Sequence, residues 1–143
     1  MQSFIDIEDI ESIQLKKILT FSAGLKAERK NISKGTKDFK KYLTNKVVAL
    51  LFKKPSTRTR FSFEVGIFQM GGVTITVSSN EMQLSNFESM SDTASVLSQY
   101  LDMVVIRTDN HSDLMDLTKY SNIPIINGLS DKSHPCQVLS DIF

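Results

Sequence analysis

Six consecutive apolar residues, Val47-Val48-Ala49-Leu50-Leu51-Phe52, stand between Lys46 and Lys53-Lys54-Pro55, and this run limits the fold more than any other feature. It has the length of a strand and no polar face, so a strand here must be covered on both sides. Helix-period sequence follows. Residues 57–70 carry Phe61, Val65 and Phe68 on one side, Gly71-Gly72 stops the helix, and Val73-Thr74-Ile75-Thr76-Val77 reads as a second strand. The alternation then repeats: a polar loop over 78–87, a helix over 88–100, a strand over 102–106, a helix over 111–120 and a strand over 123–126. Such alternation predicts an α/β fold, a four-stranded parallel sheet with helices on both faces in three layers, α/β/α. A last helix opens after His134-Pro135 and reaches Phe143 about two turns on. The reading therefore expects a chain ending in the first turns of the helix after the fourth strand, a piece of something longer.

Ahead of the first strand, residues 6–11 offer acidic caps for a helix reaching about residue 30, with Ile13, Leu15, Ile18, Leu19, Ala23 and Leu25 along one stripe. Residues 31–45, with Gly35 and Lys34, Lys37, Lys40 and Lys41, read as a polar connection holding a short turn around Phe39 and Tyr42. Its lysines are expected to be solvated, because 17 basic residues against 16 acidic ones leave a net charge of only +1. That balance gives no field for steering onto nucleic acid or an anionic membrane, so any bound anion must be caught locally. A 143-residue chain with 41% apolar residues suits one packed domain. Its single cysteine, Cys136, excludes an intrachain disulfide and cannot alone build a thiolate metal site, which fits a reducing compartment. The N-terminus is acidic where a targeting peptide would be basic, and the Val47 run is too short to span a bilayer. The expectation is a cytoplasmic domain with no nucleic-acid or membrane partner, no metal and no cofactor.

In an open parallel sheet, ligands gather beyond the carboxyl ends of the strands, where helices present their amino termini. Lys54-Pro55-Ser56-Thr57-Arg58-Thr59-Arg60 falls at such a junction. Unpaired N–H groups and the helix dipole favour an anion there; the Ser56, Thr57 and Thr59 hydroxyls add donors, and Arg58 adds a planar fork matched to phosphate oxygens. The turn by itself has a plainer reading as well. Its hydroxyls can cap the helix, Arg58 can be solvated, and Arg60 can pair with Glu64 one turn along, which is the preferred reading for Arg60.

Two more clusters fall on the same edge of the sheet. The third strand ends in Ile106-Arg107-Thr108, and the fourth leads through Asn127-Gly128-Leu129-Ser130 to His134-Pro135-Cys136-Gln137. Pro135 suits a first helical position, and His134 and Gln137, three apart across a helix start, can present donors to one point.

Together these residues carry a resemblance. The stretch from Phe52 to Glu64, Phe-Lys-Lys-Pro-Ser-Thr-Arg-Thr-Arg-Phe-Ser-Phe-Glu, resembles the carbamoyl phosphate signature of the aspartate and ornithine carbamoyltransferase family. Glu88-Ser89, Asp92-Thr93-Ala94, Arg107 and the run from Ile123 to Gln137 recur in family order, so the resemblance spans essentially the whole chain. The Asn127-Gly128-Leu129-Ser130-Asp131 lead-in to His134-Pro135-Cys136-Gln137 resembles the ornithine branch more than the aspartate branch. The resemblance implies that residues 1–143 are a carbamoyl phosphate-binding domain and that an ornithine-binding domain lies outside this chain.

What the resemblance implies chemically is transfer of a carbamoyl group to the side-chain amine of ornithine, giving citrulline and phosphate in arginine biosynthesis. Ser56, Thr57, Arg58 and Thr59 would hold the phosphate, and Arg107, His134 and Gln137 would surround the carbamoyl group, with Arg58, Arg107 and His134 the catalytic set. It also implies a homotrimer in which Gln83 reaches a neighbouring subunit's site, and a domain inactive alone. Cys136 is expected to pack in the first turn of its helix. Lys53 replaces the glutamate of many relatives and is expected to add positive charge beside the phosphate. Two other readings stay open: the same domain of an aspartate enzyme, and a freestanding phosphate-binding or oligomerisation module without catalysis.

Overall fold

The computed structural model describes residues 3–78 and 89–143. Four strands, β1 (Val47–Phe52), β2 (Val73–Ser78), β3 (Met103–Arg107) and β4 (Ile125–Leu129), form one sheet in the order β2-β1-β3-β4. All three pairings are parallel. The helices are α1 (Ser12–Glu28), α2 (Thr57–Gln69), α3 (Met90–Tyr100), α4 (His111–Tyr120) and α5 (Pro135–Ile142), with a 3-10 turn over Ile7–Asp9. The chain runs from β1 outward to β2 on one side and from β3 outward to β4 on the other, so the crevice between β1 and β3 is the switch point of the sheet.

The strands divide their side chains between two cores, as the apolar β1 run requires. Ala49, Leu51, Val104, Ile106 and Ile125 pack with Ala94, Leu101, Leu114 and Leu117 from α3, α4 and their ends. Val48, Leu50, Phe52 and Val105 pack on the opposite face with Ile67 of α2 and, less buried, Phe63 and Leu43. Leu50, Val104, Val105 and Ile125 are fully buried, which is the three-layer arrangement the alternation predicted.

Several local expectations change. Helix α2 turns Ile67 and Phe63 to the sheet, whereas Phe61, Val65 and Phe68 are exposed. Two apolar stripes share this helix, and the sheet selects the one its groove accommodates. Helix α1 buries none of its residues completely; Leu15, Leu19 and Leu25 are half-buried, and Ile13 and Ile18 face outward. The strand expected over 123–126 lies later, at Ile125–Leu129, because Pro124 has no N–H for the ladder. Gly71 ends α2 with a φ of +88°, the left-handed conformation that glycine adopts without a steric cost.

The N-terminus joins the sheet, which the sequence did not signal. Phe4 bridges to Ile126 in parallel; Phe4 N donates to Ile125 O at 2.8 Å, and Asn127 N donates to Phe4 O at 2.8 Å. Asp38, in the connection after α1, is buried in an ion pair with Arg29. Among the described residues, no helix is long and apolar enough to cross a membrane.

Candidate functional site

A cleft of about 1070 Å³ opens at the carboxyl edge of the sheet. Ser56, Thr57, Arg58, Thr59, Arg107, His134 and Gln137 all line it. Register accounts for this convergence: Phe52, the last residue of β1, pairs directly with Arg107, the last residue of β3. The turn after β1 therefore starts α2 beside the arginine at the switch point.

On the α2 wall, Ser56 occupies the N-cap with extended backbone, yet its side chain makes no capping bond. Among the described residues, the side chains of Ser56, Thr57, Arg58 and Thr59 form no hydrogen bond or ion pair. The capping alternative thus fails at Ser56, and the turn keeps its hydroxyls and first N–H groups directed at the cleft's anion-favouring helix start. Arg60 follows its plainer reading, with Nε 2.9 Å from Glu64 Oε1. Glu64 also accepts from Thr76 Oγ1 at 2.7 Å, which fixes α2 to the edge strand. The Thr76 bond, ahead of the Arg60 contacts, holds the Glu64 carboxyl below its ordinary value despite some burial.

Arg107 sits where the β3–β4 register shifts between Ile106 and Arg107. A bulge of this kind re-aims a side chain. Gly128 makes the close approach feasible, since a Cβ there would stand 3.1 Å from Ile106 O. Arg107 Nε is buried and has no partner. His134, the N-cap of α5, likewise makes no capping bond, and its Nδ1 is buried without a partner. Burial first, then the Arg107 charge, pushes the His134 ring below its ordinary value, with Asp141 opposing. Native buried polar groups are rarely left unpaired; among the described residues three such side-chain atoms are, Arg107 Nε, His134 Nδ1 and Asn127 Oδ1, and the first two belong to residues that line the cleft.

Gln137 lines the cleft, and its Nε2 donates one hydrogen to Asp141 Oδ1 at 2.7 Å, which leaves the second amide hydrogen for another acceptor. Gln83 lies outside the described residues. The expected extra charge at Lys53 is corrected by pairing: Lys53 Nζ is 2.6 Å from Asp113 Oδ2, and Lys54 pairs with Asp109. Cys136 donates its thiol to Asn127 O at 3.4 Å, and burial pushes its pKa up to about 11. It also lines the cleft, as do Phe63 and Leu129; these apolar walls were not singled out in the sequence, because only pattern and polarity mark a site there. Among the described residues, no group of His, Cys, Asp and Glu is gathered to hold a metal ion.

The fold and cleft define a class: a parallel α/β domain whose carboxyl edge brings hydroxyls, helix-start amides and a partly buried arginine to one pocket, the arrangement that binds oxyanions. The chain belongs to the aspartate/ornithine carbamoyltransferase family, matching the family's carbamoyl-P binding domain over residues 2–143. It is 44% identical over 142 residues to the ornithine carbamoyltransferase of Ruegeria pomeroyi, covering 99% of this chain and 46% of that protein. Among solved structures it resembles ornithine carbamoyltransferase from Pyrococcus furiosus (TM-score 0.91, 38% identity, 99% of this chain and 44% of that one). It also resembles the anabolic ornithine carbamoyltransferase of Campylobacter jejuni (TM-score 0.89, 37% identity, 99% and 44%). The chain spans about half the length of the curated relatives it matches.

Proposed function

We propose that this chain is the carbamoyl phosphate half of an ornithine carbamoyltransferase, whose complete enzyme transfers the carbamoyl group to the side-chain amine of ornithine. The observation that carries the reading is the pair of unpartnered buried nitrogens, Arg107 Nε and His134 Nδ1, opposite the uncapped start of α2. Ser56, Thr57, Arg58 and Thr59 take the phosphate; Arg107, His134 and Gln137 take the carbamoyl group.

In the reaction, the neutral amine attacks the carbamoyl carbon, and the C=O electron pair moves onto oxygen. That oxyanion collapses, the bond to the bridging phosphate oxygen breaks, and the amine proton balances the charge of the departing phosphate. Thr59, Arg107 and His134 stabilise the oxyanion while Arg58 and the α2 amides stabilise the leaving group; preorganised donors of this kind contribute a few kcal/mol each. The His134 ring, kept neutral by burial, serves as a hydrogen-bond donor rather than the base. Ornithine as acceptor rests on the Asn127–Asp131 lead-in. The ornithine-binding half, a cytoplasmic homotrimer and the reach of Gln83 into a neighbouring site belong to the same reading. The exposed Phe61, Val65 and Phe68 on α2 are compatible with assembly through that face.

The test is calorimetric titration of carbamoyl phosphate into this chain and its Arg58→Ala variant at low ionic strength, where an exposed anion site is least screened. Binding by the parent and its loss in the variant support the reading; binding unaffected by Arg58→Ala, or none in either, overturns it for this chain.

A further inference from the structure

We infer that Asn127 is a positioning residue for His134, holding from beneath the cleft the loop that presents the imidazole. Asn127 is completely buried in β4, on the face of the sheet that carries Ile106 and Ile125. The two hydrogens of its Nδ2 reach Ile5 O at 2.9 Å and, shared between them, Ser133 Oγ at 3.2 Å and Ser133 O at 3.3 Å, while its Oδ1 is buried without a partner. One amide group therefore joins the N-terminal segment to the residue immediately before His134.

The main chain of Asn127 adds two further ties. Its N–H donates to Phe4 O at 2.8 Å, and its carbonyl accepts from Cys136 Sγ at 3.4 Å. Asn127 thus contacts the residue before the Ser133–His134 peptide and a residue in the first turn of α5. The loop closes on itself through Ser130, whose N–H donates to Ser133 O at 3.0 Å and whose Oγ accepts from Ser133 N at 3.3 Å. The His134 side chain makes no capping bond; its carbonyl accepts from Gln137 N at 3.0 Å and Val138 N at 3.2 Å, which ties it to α5, while the Asn127 and Ser130 bonds to Ser133 hold the peptide on its other side. Buried, multiply bonded amides of this kind orient ligand-facing residues in the way second partners orient metal-bound histidines.

The inference rests on the proposed carbamoyl phosphate site for its affinity readout but not for its spectroscopic one. Asn127→Ser keeps a short polar side chain that cannot span to Ser133. Carbamoyl phosphate Kd, measured calorimetrically, is expected to rise about tenfold in Asn127→Ser. In a His134→Ala background the same substitution is expected to change Kd by less than about twofold, because no imidazole is left to position. Equal weakening in both backgrounds, or none in either, overturns the inference.

If the parent chain fails to bind carbamoyl phosphate, the proposed function fails, and the ligand-free His134 ring still decides this question. The chain has two histidines, so His134→Ala assigns their ring resonances by NMR. Burial and Arg107 lower the His134 pKa, and Asp141 opposes them; in Asn127→Ser the ring is expected to titrate nearer its ordinary value. An unchanged titration overturns the inference. Should Asn127→Ser not fold, Ser133→Ala removes an acceptor from the other end of the link, and the same shift with smaller size is expected; no shift overturns it.

Discussion

Lys53 Nζ stands 2.6 Å from Asp113 Oδ2, joining the end of β1 to the first turn of α4. Lys53 N also donates to Arg107 O at 2.9 Å, and Asp113 Oδ2 accepts from Thr108 Oγ1 at 3.4 Å. The lysine that would otherwise add charge to the cleft is thus committed to the loop that follows Arg107. Asp113→Asn is expected to lower stability by about 1 kcal/mol, since both partners are only partly exposed and the hydroxyl bond survives. Urea unfolding at low and high salt checks this, with a smaller difference at high salt; an unchanged midpoint at low salt would count against the tie.

Acidification should weaken the fold through His134. Its folded value lies below the ordinary one, so the unfolded chain binds the proton more readily. The contribution is fully present above the unfolded value of 6.5 and is lost as pH falls through the lowered folded value. His134→Gln removes this component, and parallel pH-stability curves for parent and variant between pH ~6.5 and the mildly acidic range would refute it.

Cys136 should behave as an inert thiol. With a pKa of about 11, less than about one per cent is thiolate at pH 8.5. Iodoacetamide is expected to label the native chain far more slowly than the urea-unfolded chain, and comparable rates would contradict the burial. A disulfide-exchange reagent should give the same order.

Gly128→Ala should be costly for a steric reason. The added Cβ meets Ile106 O at 3.1 Å and Val105 Cγ1 at 3.2 Å, at the strand pair whose register shift aims Arg107. A loss of about 1–3 kcal/mol is expected by thermal or urea unfolding, together with weaker carbamoyl phosphate binding than in the parent. A variant as stable as the parent would show that the bulge adapts.

β1 and β3 were legible as short apolar runs, β2 as Val73, Ile75 and Val77 alternating with threonines after Gly71-Gly72, and the start of α2 because Pro55 and the hydroxyls mark it, whereas β4 lies two to three residues later than its apolar run suggested. The orientation of α2 was not legible. Phe61, Phe63, Val65, Ile67 and Phe68 place apolar groups on more than one face, and periodicity alone cannot choose among them. The Phe4 bridge and the bond from the Asn127 amide to Ile5 O were also hidden, since each joins residues more than 100 positions apart in sequence.

By itself, the sequence determined the alternation of strands and helices, and with it a parallel sheet whose carboxyl edge collects Ser56 to Thr59, Arg107, His134 and Gln137. Local patterns suffice for this, because strand length, helix period and chain order are all written in neighbouring residues. Only the tertiary structure decided which cations are free and which are paired, that Lys53 and Lys54 answer to Asp113 and Asp109, that Gln137 donates to Asp141, and that Arg107 and His134 keep buried nitrogens without partners. Those outcomes depend on distances between groups far apart in the chain, and packing sets such distances after the local elements have formed.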